Sequence, residues 1–351
     1  MPDTASESAT IEARPPSGLG FAFSPRRQLP ATPHVRSLPT RTPPRWHRPV
    51  EWVVRGMAAA AILAIILIFA FLVRSALPLW TSSEARKEVT QTQMWFAQTW
   101  PGYDAAEHVW QPVSDTPKYG IWPLLTGTLK VSLMAMLLAG PLGVLAAIYV
   151  ACYARPKVRE VVKPAIELLA GIPSVVLGFF ALIVLATWMQ TLLGVESRLN
   201  GIVAGVALAL AVVPVVFTLS EEALRAVPQG YVEASQALGA AKWQTIWHVM
   251  LPTAAPGIAT AMALGLGRAV GETMIVLMAS GNAAILSWNP ADSVRTLSAT
   301  IAAELGEVVS GSPHYAVLFY LGLVLFAFTF AINAVAAHWI ERQKDRVAGR
   351  A

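Results

Sequence analysis

Long stretches with few or no charged residues recur along the chain, and a membrane is the solvent that such stretches are made for. A bilayer core about 30 Å thick takes roughly 20 helical residues, and inside it every backbone polar group must find its partner within the protein. Six spans follow: Gly56 to Val73, about Thr126 to Tyr153, near Pro164 to Leu193, Asn200 to Ser220, Pro256 to Ser280, and Tyr315 to Ile340. Lys130 lies close enough to the outer end of the second span to be expected to snorkel. The composition agrees: 55% of the residues are hydrophobic and 13% charged, against about 25% charged in an ordinary soluble domain. The expectation is an all-α integral membrane protein with six transmembrane helices.

A net charge of +5 would suit a nucleic-acid partner, but most of the cations flank apolar spans, so they report topology and no nucleic acid is expected. With the amino terminus inside, the basic residues up to Arg55 share one side with Arg155, Lys157, Arg159, Lys163, Arg225, Lys242, Arg342, Lys344, Arg346 and Arg350. Only Arg74, Arg86, Lys87, Lys118, Arg198 and Arg295 fall opposite. Cations are retained on the cytoplasmic side, which puts both termini in the cytoplasm. The single cysteine, Cys152, cannot form an intrachain disulfide and is given no role.

Residues 1–55 are rich in proline and arginine, without apolar periodicity, and read as a disordered cytoplasmic tail. Residues 56–73 are long for the apolar region of a signal peptide and read as an uncleaved first helix; the Arg26-Arg27 pair has no apolar run directly behind it, as a twin-arginine signal would. Residues 74–122 form an external segment carrying Trp80, Trp95, Trp100, Trp110 and Trp122, either a small cap or a loop resting its aromatics at the lipid interface. A core over 123–341 and a short cytoplasmic tail, 342–351, complete the organisation.

Within the core, residues 221–252, EEALRAVPQGYVEASQALGAAKWQTIWHVMLP, are too polar at their start to span and too regular to be a plain loop. They read as two short helices divided at Gly239. In the second, Trp243, Ile246, Trp247 and Met250 fall at helical spacing on one face, which needs lipid, the bundle or another protein as partner. The wording from Glu233, Ala234 and Ser235 through Gly239 to Leu251-Pro252 resembles the signature of ATP-binding-cassette importer permeases, with serine in the third small position and Val249 before the Leu-Pro ending as mild departures. The resemblance implies a type I ABC importer permease fold, a binding-protein-dependent transport inner-membrane component. It implies too that Glu233, Ala234, Gly239, Trp243, Trp247, Leu251 and Pro252 couple to an ATPase, the glycine allowing the tight turn. No phosphate-cradling G-x-x-x-x-G-K-[ST] run exists in this chain, so no cofactor is expected in it; ATP would be bound by a separate subunit.

The fifth span contains GRAVGETM, residues 267–274. Were the span helical from Pro256 to Ser280, Arg268 would sit at its middle, about 18 Å from either end at 1.5 Å per residue. An arginine there costs at least about 2.5–3.5 kcal/mol. Glu272, one turn on, is a possible partner, but an i,i+4 pair in this order returns less than about 0.5 kcal/mol. A pair lining the route of a charged solute is the competing reading and the one favoured. Guanidinium matches an oxyanion, and Glu272 could accept a hydrogen bond from a protonated one such as hydrogen phosphate while repelling sulfate. Ala263, Gly267 and Gly271 form a small-residue stripe for close helix approach. In ELLAGIPSVVLGFF (167–180), Gly171 and Pro173 should interrupt the third span, leaving either a packed kink or a half-helix whose start, at Ser174, attracts anions. Glu167 is expected to neutralise Lys163 or to cap the inner end.

GRAVGETM, ELLAGIPSVVLGFF and the run from Leu297 through Phe330 together resemble the permeases of the bacterial phosphate-specific importer, the C-type subunit more than the A-type. The resemblance covers roughly Trp122 to Glu341. It implies an inner-membrane transport subunit that is no enzyme, paired with a second permease, two ATP-binding subunits and a periplasmic phosphate-binding protein. Its expected substrate pathway is Arg268, Glu272, Thr273 and Ser174, embedded in membrane lipid. The alternatives are another oxyanion such as molybdate or sulfate, a gradient-driven transporter, and a mainly regulatory membrane partner.

Overall fold

The computed structural model describes residues 47–347; the expected tail lies almost wholly outside them. The chain divides into two units, Met1–Ala61 and Ile62–Ala351. Among the described residues six helical stretches are long and apolar enough to cross a membrane: Pro49–Thr81, Trp122–Tyr153, Ser174–Leu193, Gly201–Arg225, Lys242–Gly271 and Pro313–Arg342. The number matches the expectation, while several bounds do not.

Helix α1 (His47–Ala76) opens in the first unit, where Arg55 pairs with Glu51 at 2.6 Å on an exposed face. In the second unit the segment after α1 folds. Three short helices, α2 (Pro78–Thr81), α3 (Ser83–Glu88) and α4 (Gln91–Trp95), lead into two antiparallel ribbons, β1 (Gln98–Thr99) with β2 (Ala106–Glu107) and β3 (Trp110–Gln111) with β4 (Lys118–Tyr119). Ser82 caps α3 by accepting the Ala85 N–H at 3.4 Å. Of the tryptophans that could have rested on lipid, Trp110 turns inward, Trp95 and Trp100 are half-buried, and Trp80 and Trp122 stay exposed. Trp110 and Tyr119 are buried with Leu79, Val89, Met94 and Ile121 against Val317, Leu318 and Leu321, and Trp110 donates to Glu304 at 3.0 Å. The segment is a small cap whose core is shared with the last spanning helix.

The second span begins with α5 (Trp122–Ile148) and ends in a π-helical turn, Tyr149–Tyr153. Helix α6 (Pro156–Ala170) is amphipathic and too polar to span. The third span is α7 (Ser174–Phe180), a π turn and α8 (Ala186–Leu193). The Gly171–Pro173 break therefore precedes the third span and does not interrupt it: proline, unable to continue α6, starts the next helix at the edge of the apolar run. Lys163 of α6 reaches Glu221, not Glu167, at 3.2 Å.

Helix α9 (Gly201–Arg225) is the axis of the bundle, the most buried of the spans. It packs on α5 through small residues, as membrane helices without a hydrophobic drive do. A Cβ on Gly143 would stand 2.9 Å from the Val216 side chain, and one on Gly205 would stand 2.8 Å from Met134 Cβ. After α10 (Gln229–Ala237) comes α11 (Lys242–Thr245), which runs through a π turn, Ile246–Met250, into α12 (Leu251–Gly271). The second of the two expected short helices is thus the opening of the fifth span.

That span stops at Gly271. Glu272 is extended (φ −69°, ψ 132°) and α13 (Met274–Ala279) follows as a separate turn and a half. Residues 281–296 then fold back over the start of α9, where Asp292 and Pro290 carbonyls accept the Gly201 and Ile202 N–H groups, both at 3.0 Å, and Asn200 accepts that of Val203. A buried helix start, otherwise short of acceptors, is fully capped. Lys130 secures this loop. It is 5% exposed and donates to the Ser287 and Asn289 carbonyls, each at 2.9 Å; it does not snorkel, because the loop supplies its acceptors. Helices α14 (Leu297–Glu304) and α15 (Pro313–Val347) close the chain.

Candidate functional site

Two places carry chemistry that packing alone does not require. The first is the break at the end of α12. Backbone groups freed inside a membrane protein must be re-satisfied, and here each of several finds a local partner. Ser298 Oγ donates to the Glu272 carbonyl at 2.8 Å, the Glu272 carboxylate accepts the Thr273 N–H at 3.2 Å, and Thr273 Oγ1 donates to the Gly271 carbonyl at 3.3 Å. Ser298 stands at the start of α14, which Thr296 caps and which Thr128 of α5 anchors by accepting the Leu297 N–H at 3.0 Å.

Arg268 consequently occupies the last turn of α12 and not the middle of a longer helix. A cation there favours the helix dipole by about 0.3–1 kcal/mol, still short of the cost of placing it in a membrane. Among the described residues no ion pair joins it to Glu272, and the side chain is exposed on this chain. The chain break at Glu272 removes the i,i+4 geometry in which the two would cancel. Thr273 and Ser298 line a recess of about 480 Å³ beside the break, walled by Ile301, Leu305 and Leu325.

Ser174 opens α7, one turn before Gly178, whose Cα side lies against α13: an added Cβ would be 3.0 Å from the Met274 carbonyl. No hydrogen bond ties Ser174 to Arg268, Glu272 or Thr273 among the described residues. Ser298 and Thr128 escaped the sequence reading, and Lys130 entered it only as a snorkelling cation. A Thr-Leu-Ser-Ala start is an ordinary helix-capping pattern, and nothing local says which carbonyl the serine meets.

The second place is the elbow between α10 and α11. Gly239 has φ +83°, a left-handed conformation that any side chain would strain. The turn is locked by Ser235 and Thr245 hydroxyls 3.0 Å apart and by Gln244, which accepts the Ala241 N–H at 2.8 Å. Glu233 and Ala234 lie exposed on α10, and Leu251 and Pro252 open α12. The expected single face is divided. Ile246 is 1% exposed among Ala147, Ile148, Phe217 and Leu224, whereas Trp243 and Trp247 remain 55% and 52% exposed. A π turn begins at Ile246, and its i→i+5 bonding shifts the angular register of the residues that follow. Tyr231 and Leu238 stand out with the two tryptophans.

Glu221 was also missed, although its spacing to Arg225 could have flagged it. It is fully buried at the end of α9 and takes Arg225 at 2.6 Å and Lys163 at 3.2 Å. One carboxylate thereby fastens α6 to the helix that leads into the elbow.

Residues 139–345 match the family described as binding-protein-dependent transport system inner membrane component. A probable ABC transporter permease protein, YqgH of Bacillus subtilis, is 35% identical over 235 residues, 67% of this chain and 76% of that one. The phosphate transport system permease protein PstC of Mesorhizobium japonicum is 35% identical over 253 residues, 66% and 76%. PstC 1 of Mycobacterium tuberculosis is 36% identical over 254 residues, 66% and 74%. Among solved structures, a bacterial ABC transporter involved in the import of the acidic polysaccharide alginate superimposes with a TM-score of 0.57 at 15% identity, covering 85% of this chain and 98% of that one, a likeness of fold.

Proposed function

The chain belongs to the binding-protein-dependent transport system inner membrane components, and from that premise we propose that it carries inorganic phosphate inward, driven by a separate ATPase. It is a multi-pass inner-membrane permease subunit of an ABC importer, a transport role that makes and breaks no bond in its cargo. The cargo assignment draws on relatives named as phosphate permeases and on one observation above the rest: an exposed Arg268, without an ion-pair partner among the described residues, in the last turn before a broken span. An oxyanion offers the guanidinium the planar, bidentate partner that Glu272 does not. Thr273 and Ser174 are proposed to line the same route.

Both termini are proposed to be cytoplasmic, in keeping with the distribution of Lys and Arg. The assembly would comprise this chain, a second permease, two ATP-binding subunits and an external phosphate-binding protein. Glu233, Ala234, Gly239, Trp243, Trp247, Leu251 and Pro252 would meet the ATPase, and because the elbow is continuous with α12, a push on Trp243 and Trp247 would reach Arg268 along one helix by rigid-body motion.

Proteoliposomes holding the full assembly test this reading. Labelled phosphate should enter only with ATP and the ATPase present, and flux through the permeases alone would contradict it. Glu272→Gln should narrow the preference for phosphate over sulfate; unchanged discrimination would remove Glu272 from the route.

A further inference from the structure

At the end of the bundle that carries the elbow, α6, the last turn of α9, α10 and α11 enclose a recess of about 490 Å³. Arg159, Arg225 and Lys242 line it, together with Glu233, Gln236 and Cys152. Three cations facing one small cavity have to be accounted for. Arg225 is held by Glu221, but that carboxylate also serves Lys163, so two cations share one negative charge. Arg159 is fixed by two bonds of 3.1 Å from Nη2 to the Val150 and Ala151 carbonyls, while its Nε is buried without an acceptor among the described residues. Lys242 lies 5.3 Å above the Tyr153 ring, and no ion pair among the described residues includes it.

A buried donor left unpaired is costly, and a rigidly held guanidinium beside a free ammonium is an arrangement that an anion completes. We propose that this recess binds a phosphate oxyanion, with Arg159 and Lys242 as its main ligands and the Gln236 amide as a further donor. Glu233, the acidic residue in the lining, would accept the hydrogen of a singly protonated phosphate. The occupant would bridge α6 to the elbow and so stiffen the coupling segment against movement. Free inorganic phosphate and the head group of an anionic phospholipid share this chemistry. The site is separate from Arg268 and does not depend on what the permease transports.

Cys152, the one cysteine of the chain, lines the recess and reports on it. The full chain in phosphatidylcholine nanodiscs is treated with methyl methanethiosulfonate, a neutral thiol reagent, and the rate of Cys152 modification is followed. Inorganic phosphate should slow the reaction about threefold or more, by the factor 1 + [phosphate]/Kd, while chloride at equal ionic strength leaves it unchanged. The slowing should vanish in Arg159→Gln/Lys242→Gln and persist in Arg268→Gln. Slow reaction without added phosphate in phosphatidylglycerol nanodiscs, lost in the same double variant, would identify a head group as the natural occupant. Rates alike under all conditions, or slowing that survives the double variant, would overturn the proposal. Should Cys152 fail to react at all, equilibrium dialysis of radiolabelled phosphate in the Arg268→Gln background decides: loss of one bound equivalent on adding Arg159→Gln/Lys242→Gln is expected, and no loss contradicts.

Discussion

Replacing Ser298 by alanine removes the hydroxyl whose hydrogen the Glu272 carbonyl accepts, and leaves that carbonyl to find another donor at the break. The expected cost is about 1–3 kcal/mol of local stability, read as faster hydrogen exchange over residues 269–275, with Ser298→Thr close to wild type; equal exchange in Ser298→Ala would mean the hydroxyl does not hold the break. Lys130→Met is a harsher change, because two loop carbonyls lose their partner at once. Thermal unfolding in detergent should shift down by an amount on the order of 1–3 kcal/mol, and an unchanged midpoint would show that the loop needs no staple. Neither side chain announces its task in the sequence. Each acts on carbonyls far along the chain, so that local spacing contains no trace of the contact, whereas the span count and the Gly239 turn are set by composition and by φ alone.

At the scale of elements, the elbow and the broken fifth span follow opposite rules. Gly239 is legible because only glycine is at ease at φ +83°; Gly239→Val should strain the turn by about 1–2 kcal/mol and lower phosphate-stimulated ATPase activity of the assembled importer. Unaltered stimulation would contradict a role for the turn in transmission. The end of α12 is not legible, since Glu272 carries no helix-breaking chemistry and its extended backbone is held by α14 through Ser298. The π turn at Ile246–Met250 was equally hidden. Propensity sets where helices are possible, and a contact distant in sequence, Ser298 with Glu272, marks where α12 ends.

The whole molecule adds a folded cap to a bundle whose mechanism lies in its spans. Inside the cap His108 has a buried Nδ1 with no partner among the described residues, and burial lowers its pKa below the usual 6.5. The folded cap therefore favours neutral His108, and its stability is full above pH 6.5 and lost as pH falls through the folded value. Protection from hydrogen exchange over residues 77–121, referred to the intrinsic rate at each pH, should fall between pH 7 and pH 5 and fall less in His108→Gln; equal profiles would place the pH response elsewhere. The aromatic content of this segment was plain in the sequence, but inward-turned and lipid-facing tryptophans have the same composition, and only tertiary contact separates them. The proposed transport turns on an anion meeting the guanidinium at the end of α12. Phosphate uptake by the reconstituted importer carrying Arg268→Gln tests it most directly: with assembly and ATP hydrolysis retained, uptake should fall about ten- to hundredfold, the loss of a charge-assisted hydrogen bond, whereas uptake at the wild-type rate would contradict it.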